Sequence, residues 1–197
     1  MDVQAADRVN VYLPDDLAQL ARAAGLNLSG VTQQALRRVL RGRETDRWIA
    51  GSIAFKGRRA ERGKSLMDAV VIDASAVVET LLGTAAGVAL RARLRGCELH
   101  APAHLDAEVL SAFCQLHRAA ELDTAAVGTA LTELAVAPIA RHPLAGLLAG
   151  AWEARERLRL VDALYVQLAS TLGSLPLLTT DQRLARASTL AELIGPG

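Results

Sequence analysis

Two hydrophobic periods divide this chain. From residue 67 onward, short apolar runs alternate with longer stretches whose apolar residues recur every three or four positions. "AVVID", "CELHA", "LAVAPI" and "LPLLT" read as strands, with "AELI" as a fifth. The intervening segments 75–82, 85–95, 104–119, 123–134, 144–157 and 161–173 read as helices. Strands separated by helices predict an α/β unit, a parallel sheet flanked by helices.

The front of the chain reads differently. "RVNVYL" alternates, placing Val9, Val11 and Leu13 on one face of a strand and Arg8, Asn10 and Tyr12 on the other. Pro14 suits a first helical turn, with Asp15 and Asp16 at the positive end of the dipole and Gly25 as the stop. Ser29 is positioned to cap a second helix, striped by Val31, Leu36, Val39 and Leu40, with Arg37, Arg38, Arg41 and Arg43 as a solvated face. Residues 44–66 have no clear period, yet Trp48, Ile49, Ile53 and Phe55 are anchors that a plain linker seldom carries. The expected organisation is therefore 1–43, a small strand–helix–helix module; 44–66, an arm lying on a partner surface; and 67–197, the α/β domain.

Charge sharpens this division. Residues 1–66 carry a net +5 and residues 67–197 a net −4, so the front binds something anionic, or binds the back. The N-terminus has acids where a signal peptide needs a basic region, and no apolar run is long enough to span a bilayer. A soluble, cytoplasmic protein without membrane contact is expected. Cys97 and Cys114 lack metal or redox spacing and read as buried free thiols.

The candidate chemistry is acidic. Asp73 interrupts the first apolar strand of the α/β unit, and Asp181 follows "LPLLTT". Glu108 and Asp162 stand near the starts of helices that follow strands. All four belong at the end of an open parallel sheet where ligands gather. Converging carboxylates need a counter-charge, and Mg²⁺ or Mn²⁺ prefers such ligands. There is no P-loop, nucleophile elbow or G-x-G-x-x-G motif, which leaves metal-assisted phosphoryl chemistry. Asp106 reads as a capping or solvated acid, His104 as a helix-start residue, and Trp152 and Tyr165 as core.

"VVIDASAVV", "APAHLDAEVLSAF", "LVDALYVQLAS" and "LLTTDQRLA" resemble, in order, the signature segments of PIN-domain ribonucleases, toxins of the VapC type. The resemblance implies a Mg²⁺-dependent endoribonuclease acting on RNA, with Asp73, Glu108, Asp162 and Asp181 as metal-binding and catalytic acids and Ser75 and Thr179 as supporting hydroxyls. Residues 7–43 resemble a ribbon–helix–helix module, which pairs its strand with that of a second copy and lays the ribbon in the major groove. That match implies a dimer or higher oligomer on operator DNA, with Arg8, Asn10 and Tyr12 toward base edges and Ser29 at a phosphate. Residues 1–66 thus resemble a VapB-type antitoxin fused ahead of its toxin. Its arm is expected to anchor through Trp48, Ile49 and Phe55 and to send Arg58, Arg59 or Arg62 into the acidic pocket. The expected function is a fused toxin–antitoxin protein that autoregulates its operator. The alternative is an operator-binding repressor whose PIN domain is catalytically silent and only oligomerises.

Overall fold

The computed structural model describes residues 11–51 and 68–195. The chain divides into two compact units, Met1–Leu36 and Arg37–Gly197.

In the first unit, helix α1 (Asp15–Ala23) starts after Pro14 with Asp15 and Asp16 in its first turn. Gly25, at a φ of 66°, ends it. Helix α2 (Leu28–Gly51) begins two residues earlier than a helix capped by Ser29 would. Asn27 takes that role, its Oδ1 accepting from the Gly30 N–H at 3.1 Å, while Ser29 is exposed within the first turn. Val11, Tyr12 and Leu13 are not in a strand, and Val9 with Arg8 and Asn10 lies outside the described residues. A ribbon strand hydrogen-bonds only to a second copy, so a single chain offers it no partner. Leu17, Leu20, Val31 and Leu36 are exposed.

Helix α2 does not stop near Arg43 but runs on to Gly51. The continuation has its own stripe, Thr45, Trp48 and Ile49, spaced three and four apart and buried with the second unit's core. Trp48 Nε1 donates to the Glu133 carbonyl at 3.2 Å, and Asp46 Oδ1 accepts from the Gly96 N–H at 2.8 Å. Arg38 and Arg41, read as solvated, instead both pair with the poorly exposed Glu98. Ile53, Phe55, Arg58, Arg59 and Arg62 lie outside the described residues.

Among the described residues, five strands form one parallel sheet in the order β3-β2-β1-β4-β5. They are β1 (Ala69–Ile72), β2 (Glu98–Pro102), β3 (Ile139–His142), β4 (Leu177–Thr179) and β5 (Ala191–Leu193). Helices α3 (Ala74–Leu82), α4 (Ala85–Leu94), α5 (Leu105–Arg118), α6 (Thr124–Ala135), α7 (Leu148–Glu153), α8 (Leu160–Thr171) and α9 (Gln182–Ala187) connect them. Two predicted elements shift. "LAVAPI" mostly completes α6 and its turn, and the strand begins only at Ile139, because Leu134 and Ala137 bury at helical rather than alternating spacing. The predicted helix over 144–157 shortens to a 3₁₀ turn plus α7, and Trp152 on it is exposed rather than core. Cys114 is exposed; Cys97 is buried as read. No single helix among the described residues is long and apolar enough to cross a membrane.

The ion pairs that hold the second half of α2 make its docking sensitive to acid. His100 Nε2 lies 3.5 Å from Glu98, and His100 Nδ1 is 3.0 Å from His142 Nε2. Burial holds His100 below the usual imidazole value; Glu98 opposes this, and His142, Arg41 and Arg38 reinforce it. His142 is lowered by burial and by Arg41, against the pull of Glu98. Both rings are therefore neutral in the docked state, and their contribution is present above their ordinary 6.5 and lost as pH falls through their lowered values. Trp48 emission is expected to be constant from pH 8 to 7 and to shift red as pH falls below the ordinary imidazole value and the rings charge. His100→Gln should flatten that shift.

Candidate active site

The parallel register aligns the carboxyl ends of β1 and β4. Ile72 stands opposite Leu178, so Asp73 and Thr179 leave the sheet side by side, and the Asp73 N–H still donates to the Leu178 carbonyl at 3.1 Å. Asp73 then caps α3: its Oδ1 accepts from the Ala76 N–H and from Ser75 Oγ, each at 2.8 Å. Thr179 Oγ1 donates to Asp73 Oδ2 at 2.5 Å and accepts from the Asp181 N–H at 2.9 Å. Ser75 Oγ accepts from the Thr180 N–H at 3.0 Å, which ties the same corner from the other side. The two hydroxyls therefore hold the Asp73 carboxylate and lock the backbone carrying Asp181 against it.

Glu108 and Asp162 reach this corner from the first turns of α5 and α8. Glu108 Oε2 accepts from Tyr165 Oη at 2.7 Å and lies 3.1 Å from His104 Nε2. Asp181 caps α9 by accepting from the Arg183 N–H at 2.7 Å. Asp162 is not a cap, because Arg159 occupies that position in α8.

The acids act on one another's charge, Glu108 on Asp73 and both Asp181 and Glu108 on Asp162. Burial pushes Asp73 up from 3.8 to about 6 against its three hydrogen bonds, and the Glu108 charge adds to the rise. Asp162 is raised by burial and then by Asp181, with Glu108 adding and Arg159 opposing. Burial also pushes Glu108 upward, but the hydrogen bonds from His104 and Tyr165 outweigh it and hold the carboxyl below its usual value.

Among the described residues, no group of three or more His, Cys, Asp or Glu side chains stands ready-made to hold a metal ion. The chemistry of the four acids still fits a hard divalent cation: carboxylate and hydroxyl oxygens, two of the acids raised by burial with like charge adding, and lone pairs left over on Asp73 Oδ2 and Glu108 Oε1. Asp73, Glu108, Asp162 and Asp181 are the residues that would hold it.

Three side chains do more than their sequence reading gave them. Asp106 is not the cap of α5; partly exposed, it forks onto Arg141, at 2.7 Å from Nε and 2.9 Å from Nη2. Tyr165 is buried as core, yet its hydroxyl belongs to the acidic corner; the signal was its place three residues after Asp162. His104, read only as a helix start, stands four residues before Glu108 and packs on Tyr165 with ring centroids 4.9 Å apart.

Residues 70–190 match the model of the PIN domain. The chain belongs to the PIN-domain family. Among curated relatives, the ribonuclease VapC3 of Mycobacterium tuberculosis is 57% identical over 127 residues, covering 64% of this chain and 92% of that protein. The ribonuclease VapC12 of the same organism is 41% identical over 119 residues, covering 60% and 91%. Ahead of the PIN domain, residues 7–52 match the post-segregation antitoxin CcdA model. The antitoxin VapB3 of M. tuberculosis is 52% identical over 44 residues, 22% of this chain and 50% of that protein. A VapB-like antitoxin segment and a VapC-like PIN ribonuclease are thus joined in one polypeptide.

Proposed function

We propose that this chain is a self-restrained, divalent-metal-dependent endoribonuclease that binds its own operator DNA. The observation that carries the nuclease reading is the meeting of Asp73, Glu108, Asp162 and Asp181, drawn from four separate segments, at the carboxyl end of one parallel sheet. A complete acid set also weighs against a PIN domain kept only for oligomerisation.

When bound, Mg²⁺ or Mn²⁺ supplies Lewis acidity toward a phosphodiester and makes water a better nucleophile at neutral pH. The chain's own part is to hold the oxygens in place. Ser75, Thr179 and the Ala76 N–H orient Asp73, while Tyr165 and His104 orient Glu108. The Thr179 hydroxyl bond to Asp73 and the Thr180 N–H bond to Ser75 set the distance between the β1 and β4 ends.

Two further parts of the reading concern the antitoxin segment. Pairing of residues 8–13 with those of a second copy builds a ribbon that presents Arg8, Asn10 and the exposed Tyr12 to bases, with Ser29 at a phosphate and the exposed Leu17, Leu20, Val31 and Leu36 as the dimer seam. The arm beyond Gly51 supplies Arg58, Arg59 or Arg62 to the acids, in competition with the metal. This is the restraint, and the same chain represses its own operator in the cytoplasm.

The test is cleavage of single-stranded RNA by the full chain in Mg²⁺, in Mn²⁺ and in EDTA. Cleavage that depends on the cation and rises when Arg58, Arg59 and Arg62 are replaced together by Ala is the expected result. Absence of cleavage by both chains, or cleavage undiminished in EDTA, would refute it.

A further inference from the structure

We propose that Tyr165 and His104 are positioning residues that fix the Glu108 carboxylate by one oxygen and thereby turn its other oxygen toward the cation. The inference rests on the ribonuclease reading and goes beyond it, since neither residue belongs to the acidic set. Both contacts converge on Glu108 Oε2, from Tyr165 Oη at 2.7 Å and His104 Nε2 at 3.1 Å. Oε1 is left as the lone acceptor.

The arrangement is built rather than incidental. Tyr165 is 2% exposed, and a phenol hydroxyl that deep needs an acceptor. It follows Asp162 by three residues on α8, so one turn of one helix presents both an acid and the donor that holds another acid. His104 precedes α5 and Glu108 lies in its first turn, so the second contact comes from the same end of the helix as the acid it touches. The phenol and the imidazole then pack ring on ring at 4.9 Å, each limiting the other's rotamer. Burial, followed by the Glu108 charge, drives the Tyr165 phenol far above its ordinary value, so it remains a donor at any pH the fold survives. A carboxylate held this way loses little freedom on meeting a cation.

Mn²⁺ binding to the full chain, read by electron paramagnetic resonance of the free ion, tests this without relying on cleavage. Tyr165→Phe keeps the ring and deletes the hydroxyl; it is expected to melt within a few degrees of wild type and to bind Mn²⁺ about tenfold more weakly. RNA cleavage should fall at low Mn²⁺ and recover at saturating Mn²⁺. His104→Ala should weaken binding similarly, and His104→Gln, whose amide nitrogen reaches the place of Nε2, should restore it. Wild-type uptake with unchanged uptake in Tyr165→Phe and His104→Ala would overturn this inference alone. No Mn²⁺ uptake by the wild-type chain or by the chain with Arg58, Arg59 and Arg62 all replaced by Ala would overturn the metal-dependent reading together with it.

Discussion

Asp73→Asn is expected to lower RNA cleavage at least about a hundredfold while raising the stability of the fold at pH 7. The two effects have one cause. Asp73 is buried, and its carboxyl is raised from 3.8 to about 6, so ionising it inside the fold costs on the order of 3 kcal/mol at neutral pH. Its contribution to stability is fully present below about 3.8 and is lost as pH rises through about 6. Asparagine carries no charge to desolvate and still accepts from Ser75 and the Ala76 N–H, but its amide faces Thr179 as a donor. That mismatch returns part of the gain, so about 1–2 kcal/mol of net stabilisation is expected above pH 6, closing below pH 4. Were Asp73 only a helix cap, Asn would be nearly its equal there and cleavage would not move. Urea unfolding at pH 4 and pH 7 beside a cleavage assay reads both. A variant that is no more stable at pH 7 and cleaves like wild type would remove Asp73 from the site.

The second large effect lies at Gly42. A Cβ there would fall inside van der Waals contact of the Gly96 carbonyl oxygen and carbon, which are backbone atoms. Gly96 has little room to yield: its φ is +70°, and its N–H is held by Asp46 from the next turn of α2. In an isolated helix Gly42→Ala would be favourable by about 1 kcal/mol through propensity. The close approach outweighs that gain, with an expected net loss of about 1–3 kcal/mol for Ala and more for Val. The expected consequence is local. The second half of α2 lifts from Gly96 and Glu98, exposing Trp48 and Ile49, whose burial contributes about 1.5–3 kcal/mol each. Of the two tryptophans, Trp152 is already exposed, so a red shift of emission reports Trp48. Unshifted emission and unchanged melting in Gly42→Val would show that this contact does not hold the helix.

The same contacts bear on what a truncated nuclease would be. Trp48 and Ile49 belong to the core cluster that includes Val70, Leu99 and Leu134. A chain beginning at Met67 removes them and leaves Glu98, a poorly exposed acid, without Arg38 and Arg41. It should be less stable than the second unit with its helix by more than the ion pairs alone provide, because an unpartnered carboxylate remains. Thermal melting of chains beginning at 37 and at 67 measures this.

Much of the site was legible because its parts are local. Asp73 breaks an apolar strand, and each acid stands at a strand end or in the first turn of the helix that follows, so a doubly wound topology suffices to bring them together. Ser75 and Thr179 came with the signature segments. Tyr165 and Arg141 were not legible: a tyrosine at a core-facing helical position and an arginine in a short strand look structural until partners 57 and 35 residues away are known. Helix α2 was misjudged for a related reason. Its first half has an apolar stripe of its own, but the stretch from Glu44 to Gly51 is helical on the strength of what Thr45, Trp48 and Ile49 bury against.

What the sequence determined by itself was the set of elements, their order, and which acids would stand at one sheet edge, because period, strand ends and helix starts are properties of neighbouring residues. What only the tertiary structure decided was how those acids are held and where the antitoxin helix rests. Register paired Asp73 with Thr179, packing aimed Tyr165 at Glu108, and a glycine-to-glycine approach seated α2 beside Glu98. Each depends on distances between segments remote along the chain, which side-chain volume and backbone geometry set only once the core has closed.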